Sequence, residues 1–301
     1  MRLPVCLLLI ALLPGSTLLS GSCARTPKHA ASGSDTLRTV FPLPDLPAAL
    51  NTPEARAGYL VEHYWEKWDF RRRPTAAEKD VLEQAFANYL YALPLATKET
   101  KGKSIRQLMQ LAAAGDSSLL FFIKMSEKYL YEVGSPMHDE DTYLLFLQAT
   151  ARLPHLDTAQ RERTAYRLQT VRKNRPGDPA TDFRFRDRHG RTLSLRQTIT
   201  RRTLLLFYDP DCEHCRQTLT EMDDLTRRLA MPVIAIYAEG DTALFGRTKD
   251  QLPARWTVGI DITGIRENTL YDLKAMPTLY VIGKDGRVEI KDATTDEIAG
   301  E

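Results

Sequence analysis

The chain has 301 residues, of which 41 are Lys or Arg and 39 are Asp or Glu, giving a formal net charge of +2 at pH 7. Basic and acidic residues are interspersed, which argues against a nucleic-acid partner, because nucleic-acid-binding proteins concentrate positive charge on one surface. The length is sufficient for about two domains of ordinary size.

Residues 1–22 have the pattern of a secretory signal peptide. Arg2 precedes a short apolar stretch, and small residues follow up to Ser22. The stretch is too short for a transmembrane helix. Cys23 follows Gly21 and Ser22 as the lipidated cysteine follows the lipobox of bacterial lipoproteins, although Ser20 stands where that motif usually has Leu. We favour lipid attachment at Cys23 over an ordinary signal peptide, because a lone cysteine in an exported chain otherwise needs explaining.

Residues 23–38 are small and polar and predict a flexible tether. Together with a lipid anchor, the tether would hold the protein on the periplasmic side of a bacterial membrane, either inner or outer. Disulfides persist in that compartment. A dithiol placed there would act on the disulfides of other proteins or be kept reduced by a dedicated partner.

Residues 39–174 are predicted to form an all-α domain, with about six helices and no strand. Thr52-Pro53-Glu54 has the order of an N-cap, a first-position proline and a first-turn acid. Thr75 and Glu78 have the spacing of a capping box. The predicted starts of the six helices are Thr52, Thr75, Ser104, Asp116, Asp139 and Thr158.

No catalytic constellation is evident in this helical domain. Its histidines are isolated in sequence, which favours surface or structural roles over metal ligation; they are His63, His138 and His155. Four aromatic residues could line a partner groove, but their helical spacing favours packing in the core; they are Tyr59, Tyr64, Trp65 and Trp68.

Residues 175–301 are predicted to form an α/β domain after a Pro- and Gly-containing break at residues 174–179. The continuous apolar runs at 203–208 and 232–237 predict buried parallel strands. Residues 275–290 predict a hairpin around Asp285-Gly286. Only residues 295–301 follow for a short last helix.

Cys212-Glu213-His214-Cys215 lies between the predicted strand 203–208 and a predicted helix, and two thiols at such a turn suit thiol–disulfide exchange. The helix N-terminus favours a thiolate at Cys212, the attacking group, and Cys215 lies one turn on to resolve a mixed disulfide. A zinc site would need about four ligands, and haem attachment would need His where Arg216 stands. No metal or cofactor is expected besides the redox-active Cys212–Cys215 pair, and a purely structural disulfide stays open.

The α/β region resembles a thioredoxin-fold domain of the TlpA/ResA type over residues 177–292. The matching features, in chain order, are Gly-Asp-Pro-Ala-Thr-Asp-Phe at 177–183, the turn at Gly190, the C-x-x-C motif, Met276-Pro277-Thr278 and the Asp285-Gly286 turn. The resemblance implies a thioredoxin-like fold preceded by the helical domain. It implies a cis Pro277 facing the dithiol, and a segment Met276, Pro277 and Thr278 that binds the backbone of a substrate strand.

The helical region more loosely resembles the helical domain of unknown function that precedes thioredoxin domains in some Gram-negative lipoproteins. The likeness lies in the Phe-Pro-x-Pro-x-Leu lead-in at 41–46 and in Tyr59 with His63-Tyr64-Trp65. It implies an architecture and no activity.

Two positions depart from the thioredoxin pattern. Leu206 stands where thioredoxin has a buried Asp, and Asp211, with Asp209 close by, stands where Trp usually precedes the first cysteine. These acids should oppose a nearby thiolate, whereas a protonated His214 should favour it. We expect Glu213 and His214 to tune the thiolate, and the reduction potential stays open.

These patterns predict a cell-envelope thiol–disulfide oxidoreductase, and the resemblance favours a reductase. A disulfide oxidase or isomerase stays open, as does a partner-binding lipoprotein in which the dithiol is secondary. A peroxidase is disfavoured, because Leu205 and Asp209 stand where peroxiredoxin sites carry Pro and Thr or Ser. The expected partners are protein thiols and disulfides, a membrane electron donor or acceptor, and the membrane itself through the anchor, but no nucleic acid.

Overall fold

A computed structural model describes residues 40–300. The predicted signal peptide, the predicted tether and Cys23, the predicted site of lipid attachment, lie outside the described residues. Within the described part of the chain, no helix combines the length and apolar character needed to cross a bilayer.

The first part of the described chain is helical, as predicted, with six α-helices and one short 3₁₀ turn at Leu93–Leu95. The helices are α1 (Pro53–His63), α2 (Ala76–Ala92), α3 (Lys98–Ala112), α4 (Asp116–Leu130), α5 (Glu140–Ala151) and α6 (Thr158–Val171). Thr52 caps α1 by accepting from the amide of Ala55. Asp139 caps α5 in the same way through the amide of Thr142.

The predicted start of α3 is wrong. The helix begins seven residues earlier, because Thr97, and not Ser104, is its N-cap and accepts from the amide of Thr100 at 3.2 Å. Ser104 lies inside α3 and is buried, and its hydroxyl contacts the Tyr89 hydroxyl at 2.6 Å and donates to the Val61 carbonyl. A serine that satisfies buried polar groups between helices has the same sequence signature as a capping serine.

An aromatic cluster forms the centre of the helical region. Tyr64, Trp65 and Trp68 are all buried, so the core interpretation of these three is confirmed. Phe41, from the Pro-rich lead-in, stacks on Tyr64 with ring centroids 5.2 Å apart and covers the outer side of the cluster. The lead-in is thereby fixed to the helices by aromatic contacts.

The capping box at the start of α2 is confirmed, and it includes a buried carboxylate. Glu78 accepts from the amide of Thr75 at 3.0 Å and forms a two-pronged ion pair with Arg72. The hydrogen bonds from Arg72 and then from the Thr75 backbone lower the pKa of Glu78 to about 2.

We expect Glu78→Gln to lower the free energy of unfolding at pH 7 by about 1 kcal/mol or more, because it removes the charge from the capping box. A carboxyl whose pKa is lowered on folding stabilises the protein above its unfolded pKa, and this contribution is lost as the pH falls through about 2. Urea unfolding of both proteins across that range should show the difference shrinking with acid. An equal difference at pH 7 and pH 2 would contradict this explanation.

The second part of the described chain contains one seven-stranded sheet. Its strands are β1 (Arg184–Asp187), β2 (Thr192–Ser194), β3 (Thr203–Tyr208), β4 (Val233–Tyr237), β5 (Thr257–Asp261), β6 (Thr278–Ile282) and β7 (Val288–Lys291). They lie in the order β2-β1-β5-β4-β3-β6-β7, with β3, β4 and β5 parallel and the others antiparallel.

Strand β5 is absent from the sequence prediction. It joins the β1–β2 hairpin to the central strands, so it completes the sheet. Glycine usually weakens a strand, but Gly259 lies where a Cβ would overlap the buried ring of Phe185 on the neighbouring strand. This close approach explains a glycine inside β5.

Apolar side chains cover both faces of the sheet. Along β3, Leu204, Leu206 and Tyr208 belong to the core on one face, and Leu205 and Phe207 belong to the core on the other. The remaining helices are α7 (Leu195–Thr198), α8 (Glu213–Arg228), α9 (Thr242–Thr248) and α10 (Thr295–Ala299). A central sheet with parallel and antiparallel strands, and with the dithiol at the β3–α8 turn, confirms the expected thioredoxin-like fold.

Candidate active site

Cys212 lies at the N-terminus of α8, directly after the end of β3. It is the N-cap residue, and its sulfur accepts from the amide of Cys215 at 3.3 Å. Cys212 is half-buried, whereas Cys215 is buried. The unpaired amides and the dipole at a helix N-terminus stabilise negative charge at this position. The first cysteine therefore lies where a helix N-terminus favours a thiolate and where the residue is partly accessible.

Cys215 has a different environment, one turn further into α8. It is fully buried, and the amide of Asp209 points at its sulfur from 3.5 Å. Burial raises the pKa of the Cys215 thiol to about 12, against the opposing effect of the Asp209 amide. The two sulfurs are thus distinguished, one accessible and one held protonated in the interior.

We expect iodoacetamide at pH 7 to alkylate Cys212 in the folded, reduced protein. Alkylation of Cys215 should be at least about a hundredfold slower, because thiolates are the reactive species. Peptide mapping by mass spectrometry would locate the label. In guanidinium chloride, where burial is lost, both cysteines should react alike. Equal labelling of both cysteines in the folded protein would show that Cys215 is not protected.

The segment Met276–Thr278 lies against the dithiol, as the resemblance implies. The Met276–Pro277 peptide bond is cis, and the Cys212 thiol points at the Met276 carbonyl, with sulfur and oxygen 3.7 Å apart. Thr278 is buried, and its hydroxyl donates to the Ala275 carbonyl, which closes a tight turn before β6. Substrate binding by these residues stays a prediction.

The two residues between the cysteines point outward. Glu213 is exposed and pairs with Arg216, and His214 is exposed as well. Among the described residues, no hydrogen bond joins either side chain to a sulfur. Their tuning role stays a prediction. Of the two acids noted in the sequence, Asp209 is the one in contact with the dithiol, through its amide at Cys215.

Leu206 is fully buried in the core beside α8. The place where thioredoxin has a buried carboxyl therefore holds an apolar side chain. Asp209, directly after β3, is the acid nearest to Leu206 in the sequence. Its carboxylate contributes to raising the pKa of Cys215.

A cavity of about 400 Å³ opens beside the motif, between α8 and residues 248–253. Tyr208 lines it, and the Tyr208 hydroxyl is buried without a hydrogen-bond partner among the described residues. Pro210 and Arg216 connect this cavity to the C-x-x-C motif.

One group of three residues could offer ligand atoms to a metal ion in the described part of the chain: His138, Glu140 and Asp292. Two of its carboxylates already bind lysine ammonium groups, since Lys274 contacts both Glu140 and Asp292. Lysine therefore supplies the positive charge at this position, and nothing in the geometry points to an ion.

Sequence reasoning missed the residues that support the site from a distance. Asp272 and Lys274, shortly before Met276, bind Tyr131 and Glu140 of the helical region. These partners are more than a hundred residues apart in sequence, and no local motif connects them. Only the fold brings them together.

Two family matches divide the chain at the break after α6. Residues 22–174 match the domain of unknown function DUF5106, and residues 176–291 match the AhpC/TSA family. Among curated proteins, no sequence is similar to this chain at a significant level.

Solved structures give a longer match. A thioredoxin-like protein from Bacteroides caccae is 31% identical, with a TM-score of 0.75, over 86% of this chain and 96% of that one. A conserved protein of unknown function from Bacteroides fragilis is 29% identical over 42% of this chain and 97% of its own, with a TM-score of 0.39. The thioredoxin domain of a thiol-disulfide oxidoreductase from Bacteroides vulgatus is 13% identical over 42% of this chain and 94% of its own, with a TM-score of 0.38.

The Bacteroides caccae structure matches both the helical region and the sheet of this chain. The chain therefore belongs to the thioredoxin-like proteins, with a DUF5106 domain followed by a thioredoxin-like domain that matches the AhpC/TSA family.

Proposed function

We propose that the protein reduces disulfide bonds of other proteins in the cell envelope, with Cys212 as the attacking thiol and Cys215 as the resolving thiol. The observation that carries the proposal is the contrast between the two sulfurs. One is half-exposed at a helix N-terminus and the other is buried and protonated. An attacking and a resolving thiol need these different environments.

The reaction proceeds in two exchange steps. The Cys212 thiolate attacks one sulfur of the substrate disulfide, which forms a mixed disulfide and releases the other substrate sulfur as a thiolate that takes up a proton. Cys215 then loses its proton and attacks the Cys212 sulfur. The second substrate thiol leaves, the Cys212–Cys215 disulfide forms, and two electrons have passed to the substrate.

The Met276–Thr278 segment is proposed to hold the substrate during these steps. The position of the Met276 carbonyl beside the Cys212 sulfur supports this assignment. A substrate strand paired there would present its own disulfide to Cys212. Glu213 and His214 are proposed to modulate the thiolate from the exposed side of the motif.

The surroundings proposed for this reaction follow from the sequence. Lipid attachment at Cys23 would tether the protein to a membrane on the periplasmic side, and a membrane electron donor would return the pair to the dithiol state. No bound cofactor is required, because the cysteine pair itself carries the electrons. The proposed domain limits are 39–174 and 175–301, and the boundary between them is supported by family matches that end at 174 and begin at 176.

The reduction potential of the Cys212–Cys215 pair tests the direction of the reaction. Equilibration of protein lacking residues 1–23 with glutathione or dithiothreitol buffers should give a value near thioredoxin's, about −270 mV. A value near −120 mV would make the protein an oxidant, which is the main alternative. A pair that does not titrate reversibly would indicate a structural disulfide and favour a partner-binding protein.

The AhpC/TSA match raises peroxidase activity as another candidate, and the site disfavours it. Leu205 is fully buried in β3, and Asp209 follows the strand, at the two positions where peroxiredoxin-type sites carry Pro and Thr or Ser. The chain therefore lacks the groups that would position a peroxide at Cys212.

A further inference from the structure

The chain that leads into the Met276–Pro277 segment is held by the helical region and by the linker that follows it. Residues 269–274 form no helix or strand, so they have no ladder of their own to fix them. Four positions in this stretch bind groups from residues 131–174. Lys173 donates to the Thr269 carbonyl, and Asn174 donates to the Leu270 carbonyl at 2.8 Å.

The other two contacts come from the helices themselves. The Tyr131 hydroxyl, at the end of α4, bonds to both carboxylate oxygens of Asp272 at 2.7 and 2.6 Å. The Glu140 carboxylate, at the start of α5, bonds to the Lys274 ammonium at 3.2 Å. The Lys274 ammonium also lies 4.0 Å from the centre of the Tyr131 ring. Lys274, which makes the last two of these contacts, is two residues before Met276 in the sequence.

These charges form a network of buried ion pairs. Glu140 binds Lys291 of β7 at 2.9 Å as well as Lys274, and Lys274 also binds Asp292 at 2.6 Å. The side chains of Lys274 and Lys291 are only 7% and 2% exposed. Buried charges are costly to separate, so the network resists displacement of any one member.

The backbone at this junction adopts unusual conformations. Asn174, Thr269 and Asp292 all have positive φ angles near +50° without being glycine, and they account for three of the four such residues among positions 40–300. Thr269 is β-branched, for which this conformation is disfavoured. Such residues persist where the surrounding contacts over-determine them, and they concentrate around functional segments.

We propose that the helical region acts as a positioning element for the substrate-binding segment of the thioredoxin-like region, through the contacts of Tyr131 with Asp272 and of Glu140 with Lys274. This inference rests on the proposed function, because it assigns a role in holding a protein substrate at Met276–Pro277. Tyr131 and Glu140 are positioning residues, since they act through Asp272 and Lys274 and are not placed in contact with substrate.

The test compares a protein disulfide with a small one. The reduction of insulin, with dithiothreitol as the electron source, requires both Cys212 and the segment that holds the insulin backbone. Hydroxyethyl disulfide needs only the Cys212 thiolate. We expect Glu140→Gln to raise KM for insulin about tenfold and to leave kcat and the rate with hydroxyethyl disulfide within about twofold.

Glu289→Gln is the matched control. Glu289 forms an exposed ion pair with Arg202 in the same sheet, and its loss should leave both reactions unchanged. Tyr131→Phe removes a single hydroxyl and should raise KM for insulin in the same direction. Thermal unfolding shows whether each variant is folded at the assay temperature. If Glu140→Gln is unfolded, Tyr131→Phe alone tests the positioning role.

The outcomes separate the inference from the function on which it rests. An unchanged KM in a folded Tyr131→Phe, or rates with both disulfides that fall in parallel, would overturn the positioning role and leave the reductase proposal standing. A wild-type protein that reacts with hydroxyethyl disulfide and not with insulin would overturn both.

Discussion

Cys212→Ser is expected to abolish the reduction of insulin, lowering the rate by at least about a thousandfold, to that of dithiothreitol alone. A serine hydroxyl does not attack disulfides under these conditions, and Cys215 is buried and protonated, so it cannot replace Cys212. The fold should survive, because Cys212 is the N-cap of α8 and serine is a preferred N-cap residue. The loss would therefore be chemical.

Cys215→Ala is the informative companion to that variant. It removes the resolving thiol and leaves the Cys212 environment at the helix N-terminus, so the first exchange step should proceed and turnover should slow markedly. The turnover that remains should be limited by the attack of dithiothreitol on the mixed disulfide. Circular dichroism would confirm that both variants are folded. A Cys212→Ser protein that kept more than a small fraction of wild-type activity would contradict the assignment of Cys212 as the attacking thiol.

The largest effect on stability is expected from Gly259→Ala in β5. The new methyl group would overlap the ring of Phe185, which is fully buried and cannot swing away, and it would lie 3.2 Å from the Arg186 carbonyl. Overpacking of this kind costs about 1–3 kcal/mol, and we expect the upper end because the obstacle is a ring inside a packed core. Urea unfolding followed by circular dichroism measures the change.

Gly246→Ala serves as the control for that substitution. Gly246 lies in α9, and a Cβ there would meet no atom within 4 Å, so alanine should be neutral or stabilise the helix by up to about 1 kcal/mol. In a Phe185→Leu background the cost of Gly259→Ala should shrink, because the ring is gone. Equal costs in both backgrounds would show that contact with Phe185 is not the cause.

The sequence predicted the parts of the fold that depend on local signals. The caps at Thr52 and Thr75 and the apolar runs of β3 and β4 are confirmed, because capping and buried strands leave a pattern in a few consecutive residues. Strand β5 was missed for the opposite reason. Its glycine is required by Phe185, which is 74 positions earlier and adjacent only in the folded sheet.

The candidate site likewise has parts that could be predicted from local sequence and parts that could not. The C-x-x-C motif and the segment at Pro277 could be found in the sequence, and the structure brings them together at Cys212 and Met276. The burial that distinguishes Cys215 from Cys212 depends on packing under β3 and could not be predicted from spacing. The contacts of Glu140 and Tyr131 with Lys274 and Asp272 join distant parts of the chain, so only the structure shows them.

The most direct test of the account is to identify the cysteine that forms the mixed disulfide. Reduced Cys215→Ala protein lacking residues 1–23, and so lacking Cys6 and Cys23, would be mixed with a disulfide-bonded peptide. The product would be analysed by intact mass and peptide mapping without reductant. We expect one peptide attached through Cys212, and no adduct in the double variant that also carries Cys212→Ser. A protein that forms no adduct, although it is folded and reduced, would contradict the claim that this dithiol exchanges with protein disulfides.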